Sequence, residues 1–319
     1  VRVLFFGYSS IGARALRALF RAGHEVGGVF THPDAPGEKI WFESVAAIAR
    51  ERGVPVTLVA ARPLGRGPGA DCGAPPDCGA AGVAEIVRAG KRARADVIIS
   101  ASFRVLLPRC VLALARRGAF NLHGSLLPRY RGRAPLNWAL VNGERETGMT
   151  LHHMSEEADA GDVVAQVRLE IGPDETAPEL LRRLEDAAEA VLLSALPAIE
   201  EGCAPRLPQD PALCSTFGRR RPEDGRFEWS WPARRIHNLV RAVTRPFPGA
   251  FAEILPGAKG GGGRVPRAIS VWRSRVREED GLPALSPGET IPERTAAATT
   301  FLAGTGSGLL EVLEWSERP

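Results

Sequence analysis

The sequence predicts an α/β fold in which a largely parallel sheet carries helices on both sides and is followed by a small β-rich, barrel-like domain. Two observations carry this expectation. Short apolar runs alternate with amphipathic helical stretches through the first two thirds of the chain, the pattern of repeated strand–helix–strand units. The pattern then breaks at residues 202–215, where Pro205, Pro208 and Pro211 interrupt any regular element, and resumes as short strand candidates between glycine-rich turns. These place one domain at residues 1–205 and a second at residues 206–319, and a chain of 319 residues is long enough for two cores.

Each element has its own signal. Residues 1–6 are apolar apart from Arg2, as expected of a strand covered on both faces. Ile11, Ala15, Leu16 and Leu19 mark one face of a short helix, and residues 25–31 return to strand character. Residues 44–52 read as a helix with Val45, Ile48 and Ala49 inward, closed by Gly53, and residues 54–59 as the next strand. A Gly- and Pro-rich loop is expected at 61–81. Further strands at 96–101 and 119–122 are separated by a helix-like stretch at 111–116. Residues 149–154 and 163–171 read as two strands joined through a polar turn centred on Asp159 and Gly161. Thr176 with Glu179 fits a capping box opening a long helix, whose inward stripe is Leu180, Leu184, Ala187, Ala188, Val191, Leu192 and Ala195. In the last third, strands are expected at 227–229, 250–254, 268–272 and 309–315, with a helix at 234–243.

Composition narrows the class. Hydrophobic residues make up 44% and charged residues 24%, a globular profile, and no apolar run approaches the roughly 18 residues of a membrane span. The first residues lack the features of a secretion signal, so a cytoplasmic protein is expected. The five cysteines (Cys72, Cys78, Cys110, Cys203 and Cys214) are scattered without a CxxC pair, which suggests reduced thiols and no zinc site. The formal charge is +4; residues 1–205 carry 24 basic and 24 acidic side chains, residues 206–319 carry 17 and 13. That excess is too small for a nucleic-acid footprint but suits a pyrophosphate.

The chemistry concentrates in the middle of the chain. Gly7-Tyr8-Ser9-Ser10-Ile11-Gly12 follows the first strand but is not a GxGxxG fingerprint, and no acidic residue closes the second strand. The run from Asn121 to Pro128 begins at a strand end, where open α/β sheets place ligands. Side chains alternate along a strand, so Asn121 and His123 point the same way: an amide donor suited to developing oxygen charge beside an imidazole able to move protons. An isolated Asn or His there ordinarily does no more than cap the strand. Asp159, in the later polar turn, is a candidate to reach the imidazole and bias its protonation. A hydrolase could use the same residues, but neither a GxSxG elbow nor an HExxH helix is present.

The run from Phe120 through Asn121-Leu122-His123-Gly124-Ser125-Leu126-Leu127-Pro128 to Arg131-Gly132-Arg133-Ala134-Pro135 resembles the signature of the 10-formyltetrahydrofolate-dependent formyltransferases. Asn142-Gly143-Glu144, Thr147-Gly148 and Asp159-Ala160-Gly161 continue the match in the expected order. The resemblance extends over nearly the whole chain and, through Phe217-Gly218-Arg219-Arg220 and Pro248-Gly249-Ala250-Phe251, is greatest to the branch that formylates UDP-4-amino-4-deoxy-L-arabinose. It implies a Rossmann-like first domain and an OB-like second one. It also implies that His123 shuttles protons, Asn121 holds the oxyanion and Asp159 raises the imidazole pKa. The formyl donor, 10-formyltetrahydrofolate, would lie along Val105, Leu106 and Leu107 and against Arg133, under a turn made of Ser155, Glu156, Glu157 and Ala158. Arg219 and Arg220 would help bind the sugar nucleotide, no metal would be needed, and a homodimer is compatible with such relatives.

Other acceptors stay open at this stage. Methionyl-tRNA formyltransferase shares the chemistry, but the segment 37–45 carries Glu38 and Glu43 where a tRNA-binding loop is basic. A hydroxylated ornithine, or a non-catalytic sugar-nucleotide or folate binder on the same fold, completes the alternatives. The glycine run at 260–263 and the loop at 61–81 stand out as local insertions.

Overall fold

The computed structural model describes residues 1–33, 40–60, 81–254, 267–277, 284–294 and 299–318. The expected loop at 61–81, apart from Ala81, and the glycine run at 260–263 lie outside the described residues, as do Cys72 and Cys78. The chain divides into two compact units: Val1–Gly132, Thr147–Leu169 and Arg182–Thr216 form one, and Arg133–Glu146, Glu170–Leu181 and Phe217–Pro319 the other.

In chain order the first elements are β1 (Arg2–Gly7), α1 (Ser9–Arg21), β2 (Glu25–Thr31), α2 (Val45–Glu51), β3 (Val56–Leu58), α3 (Ala81–Ala93), β4 (Val97–Ala101), α4 (Arg109–Leu112) and β5 (Ala119–His123). Then come β6 (Arg131–Gly132), α5 (Pro135–Val141), β7 (Glu146–His153), β8 (Val163–Glu170) and α6 (Ala177–Glu201). The sheet runs β3-β2-β1-β4-β5-β7-β8. Its first five strands are parallel, and β7 pairs with β5 in the opposite sense. Strand order reverses between β1 and β4, so the carboxyl ends of the central strands open the crevice in which such sheets hold ligands. Apolar side chains fill the parallel strands: Val3, Leu4, Phe5, Phe6, Val97, Ile98 and Ile99 are all fully buried, and Phe6 stacks on Phe30 at 4.6 Å between centroids. Burying each such side chain stabilises by about 1.5–3 kcal/mol before entropy is counted.

Most element boundaries follow the sequence signals. Ser44 caps α2 by accepting from Ala47 N, and Gly53 ends that helix in the left-handed region at φ 68°. Glu179 Oε2 accepts from both Thr176 N (2.8 Å) and Thr176 Oγ1 (2.6 Å), so the capping residues do open α6. Its inward stripe is buried throughout. The third strand is shorter than expected, and the helix expected at 111–116 is the four-residue α4. α3 and α5 carry no strong sequence signal; α5 starts on Pro135, whose missing N–H costs nothing in a first turn.

The second unit includes α7 (Ala233–Val243), which follows β9 (Thr216–Phe217), and then β10 (Ala250–Ile254), β11 (Arg267–Arg277), β12 (Thr290–Arg294), β13 (Thr299–Gly304) and β14 (Leu309–Glu317). The five long strands form an antiparallel sheet in the order β10-β11-β14-β13-β12. Residues 227–229 are not a strand: Phe227 and Trp229 are a buried edge-to-face pair, with Trp229 Nε1 donating to Glu253 O at 2.9 Å. β12 escapes the sequence reading because Pro292 stands in it, which an edge strand tolerates and a central one does not. The buried guanidinium of Arg241 on α7 is matched by Asn238 Oδ1 (3.0 Å), Gly172 O (3.1 Å) and Glu175 O (3.3 Å).

Cys203 and Cys214 are free and exposed, but Cys110 is disulfide-bonded, against the expectation of reduced thiols throughout. Among the described residues, no helix is long and apolar enough to cross a membrane.

Candidate active site

The pairing of β5 with β7 builds the site. Asn121 and His123 lie two residues apart on β5 and so share a face. In the ladder Asn121 stands opposite His152 and His123 opposite Thr150, and directly opposed residues of antiparallel strands project to the same side. One face of two strands thus carries Asn121, His123, Thr150 and His152. Phe120 and His153 pair on the other face, their rings 4.8 Å apart.

The turn between β7 and β8 brings Asp159 onto that face. His153 N donates to Asp162 O at 2.9 Å and closes the turn. Gly161 lets it close: a Cβ there would meet the His153 carbonyl oxygen at 1.9 Å. Asp159 itself sits at φ 53°, a left-handed conformation that Asp and Asn adopt more readily than other side chains. Its Oδ1 lies 3.5 Å from His123 Nδ1, 3.5 Å from His152 Nε2 and 3.4 Å from Asn121 Nδ2, while Oδ2 accepts from Gly132 N at 2.8 Å. The structure therefore brings Asn121, His123 and Asp159 together.

Electrostatics sort the pair. Burial by itself would raise the Asp159 pKa, but the adjacent His123 and His152 and the Gly132 amide outweigh it and hold the carboxyl at about 2. Asp159 is an anion at neutral pH. For His123 burial is the dominant influence and lowers the pKa; the Asp159 charge and the Tyr130 carbonyl act upward without overcoming it. The expected upward push from Asp159 is present, but the net shift is downward because a buried imidazolium loses its hydration. The His123 ring meets Tyr130 O at 2.8 Å through Nε2, which fixes the neutral tautomer with its proton on Nε2 and the lone pair on Nδ1, towards Asp159.

The other expected residues fall as follows. Val105 and Leu107 are buried, Leu107 in a cluster with Ile98 and Val111, whereas Leu106 is exposed. Ser155, Glu156 and Glu157 are exposed on the turn before Asp159 and Ala158 is half-buried; Ser155 Oγ donates to Glu157 O at 2.9 Å. Arg133 is exposed in the second unit, where its N donates to Phe217 O at 2.9 Å. Arg219 is exposed there too. Arg220 lies over the Trp138 ring at 4.6 Å and donates from Nη2 to Asp224 O at 2.8 Å; burial lowers its pKa, but a guanidinium remains charged.

His152 was not singled out from sequence. In its neutral tautomer Nδ1 donates to His153 O at 2.8 Å, so Nε2 is left to accept from Asn121 Nδ2 at 3.1 Å. The available signal was register: pairing residues 149–154 against 119–123 puts His152 beside Asn121.

Residues 1–196 match the formyl transferase family, and residues 220–318 match the C-terminal domain of formyl transferases. The chain belongs to the formyl transferase family. Its fold is shared with solved structures at low identity. An N-formyltransferase from Helicobacter canadensis, solved with folinic acid and dTDP-3-aminofucose, is 16% identical over 99% of this chain and 100% of its own, with a TM-score of 0.68. WlaRD, a sugar 3N-formyltransferase solved with dTDP and 5-N-formyl-THF, is also 16% identical, covering 99% and 97%, with a TM-score of 0.66. HypX from Aquifex aeolicus is 22% identical over the whole of this chain but only 46% of its own, with a TM-score of 0.64.

Proposed function

We propose that this formyl transferase moves a formyl group from 10-formyltetrahydrofolate to the amine of a nucleotide-linked amino sugar, with UDP-4-amino-4-deoxy-L-arabinose or a close relative as acceptor. The observation that carries the chemistry is the placement of a neutral, buried His123 against the Asp159 anion on the same sheet face as Asn121. The acceptor class is supported by the sequence resemblance and by the two sugar N-formyltransferases that share the fold over almost their full lengths.

The residues suit the reaction's charge changes. An amine attacking a formyl carbon gives a tetrahedral centre with negative oxygen and positive nitrogen. One Asn121 amide hydrogen is held by His152; the other makes only a long 3.4 Å contact with Asp159 and is available to the oxyanion. The nitrogen's proton passes to Nδ1 of neutral His123 and on to the leaving folate nitrogen. The imidazolium formed on the way is flanked by acceptors on both sides, Asp159 Oδ1 and Tyr130 O. Exposed Leu106 and the exposed turn at 155–157 offer the folate an apolar edge and backbone polar groups. Arg219 and Arg220 supply charge for the nucleotide's phosphates.

The test is release of tetrahydrofolate by the purified protein, with 10-formyltetrahydrofolate and a panel of amino-sugar nucleotides. Turnover on UDP-4-amino-4-deoxy-L-arabinose supports the full reading. Turnover on another member keeps the reaction and changes the sugar. Silence across the panel, with folate bound, refutes the sugar-nucleotide assignment.

A further inference from the structure

The stretch at residues 205–213 lies between the two regions that match the family, and each of its residues is exposed except Gln209. Gln209 turns inward. Its Oε1 accepts from Arg131 Nε (3.1 Å) and Nη2 (2.8 Å), and its Nε2 donates to Asp159 O (2.8 Å) and Gly161 O (2.7 Å). A primary amide has two donor hydrogens and two acceptor lone pairs, and here all four are used. The orientation is unambiguous, because Arg131 offers only donors and the two carbonyls only accept. Gln209 has no capacity left for a ligand.

What it grips is the turn that carries the carboxylate, on both sides of Ala160. Three consecutive residues complete the frame: Tyr130 O meets His123, Arg131 holds Gln209, and Gly132 N donates to Asp159 Oδ2. The imidazole and the carboxylate turn are thus referenced to one short piece of backbone, and Gln209 closes the circuit.

We propose that Gln209 is a positioning residue that holds the Asp159 turn in register with His123, and that Arg131 fixes its amide for that task. This rests on the reading in which Asp159 and His123 take part in formyl transfer. A methionine at 209 has similar length but leaves both carbonyls and Arg131 without this partner. A shift of about 1 Å at a reacting group costs on the order of 100-fold.

The test compares Gln209→Met, Asp159→Asn and the double variant, each in the full chain, with 10-formyltetrahydrofolate and whichever amine the wild type accepts. We expect Gln209→Met to lower kcat roughly 10- to 100-fold with both KM values little changed. In the Asp159→Asn background it should cost less than about twofold more, because the group it positions is already disabled. Losses that multiply in the double variant, or an unchanged kcat in Gln209→Met, overturn the proposal. Arg131→Met should show a smaller loss with the same dependence on Asp159, and serves if Gln209→Met does not fold. A second readout needs no acceptor. The charged and titratable groups facing His123 are Asp159 and His152, so a displaced carboxylate lowers the His123 titration midpoint, followed by NMR, in the direction that Asp159→Asn lowers it. An unmoved midpoint overturns the brace even if the sugar-nucleotide reading holds, and a moved one supports it even if that reading fails.

Discussion

Asp159→Asn isolates the charge that faces His123. Asparagine keeps an oxygen for the Gly132 N–H and adopts the left-handed φ of 53° readily, whereas alanine would add backbone strain to the lost charge. The magnitude follows from the geometry. When Nδ1 takes up a proton, the new cation stands 3.5 Å from Oδ1, and at an effective dielectric of about 20 Coulomb's law gives roughly 5 kcal/mol. Water entering the site and the neutral amide dipole recover part of this, which leaves about 3–4 kcal/mol, or roughly 100- to 1000-fold in kcat. The assay is tetrahydrofolate release at saturating substrates, with kcat/KM followed over pH. Asp159 acts to raise the His123 pKa, so removing its charge lowers that pKa further. The base must be neutral to work, so the acid limb of the profile moves to lower pH. A loss below about tenfold, or a limb that moves upward, refutes the assignment of Asp159 as the partner of a proton-carrying His123.

Three further outcomes are expected. Gly161→Ala drives a Cβ into the His153 carbonyl at 1.9 Å and should lower stability by about 1–3 kcal/mol with loss of activity, seen as a fall in Tm; a neutral effect would show that the turn is not closed as described. Charge reversal at Arg219 or Arg220 should raise the sugar-nucleotide KM far more than the folate KM, and equal effects would remove both from nucleotide binding. Stability should fall on acidification in two windows. Burial lowers the pKa of His123, His153 and His237, so their contribution is complete above about 6.5 and declines as pH falls below it. Asp159, lowered from 3.8 to about 2, adds about 2 kcal/mol that is present above about 3.8 and lost as pH falls through about 2. Urea midpoints measured from pH 7 to pH 2 check both, and a midpoint that rises on acidification contradicts the sign.

How much of this was legible in the sequence depended on how local the cause was. Strand β2 and the Thr176–Glu179 cap follow from side chains a few residues apart, and both appear where the pattern put them. Asn121 and His123 were paired by the two-residue strand period alone. His152 was not, because its partners come from β5, 31 residues away in sequence, through an antiparallel register that no local pattern reveals. Pro292 hides the strand at Thr290–Arg294, whereas Phe227-Glu228-Trp229 has the apolar–polar alternation and alternating burial of a strand without being one, because two buried rings packed edge-to-face give the same period. Gln209 shows the limit most clearly: it stands among prolines in a stretch that reads as a linker, and only the closed set of four hydrogen bonds gives it a role.

The net downward shift at His123 comes from burial, which the sequence does not show, and not from Asp159, whose upward push is present as expected. A carboxylate beside an imidazole invites the inference of a raised pKa, yet the ring is buried on a sheet face, where losing hydration outweighs one charge at 3.5 Å. For the formyl transfer proposed above the outcome is favourable. A resting imidazolium has no lone pair on Nδ1 to take the attacking amine's proton, and it would oppose the positive nitrogen that forms. A neutral ring has that lone pair, and the Asp159 anion then acts on the imidazolium only once the proton has arrived. Stabilisation that appears with the transferred proton, and not before it, lowers the barrier without first deepening the resting state.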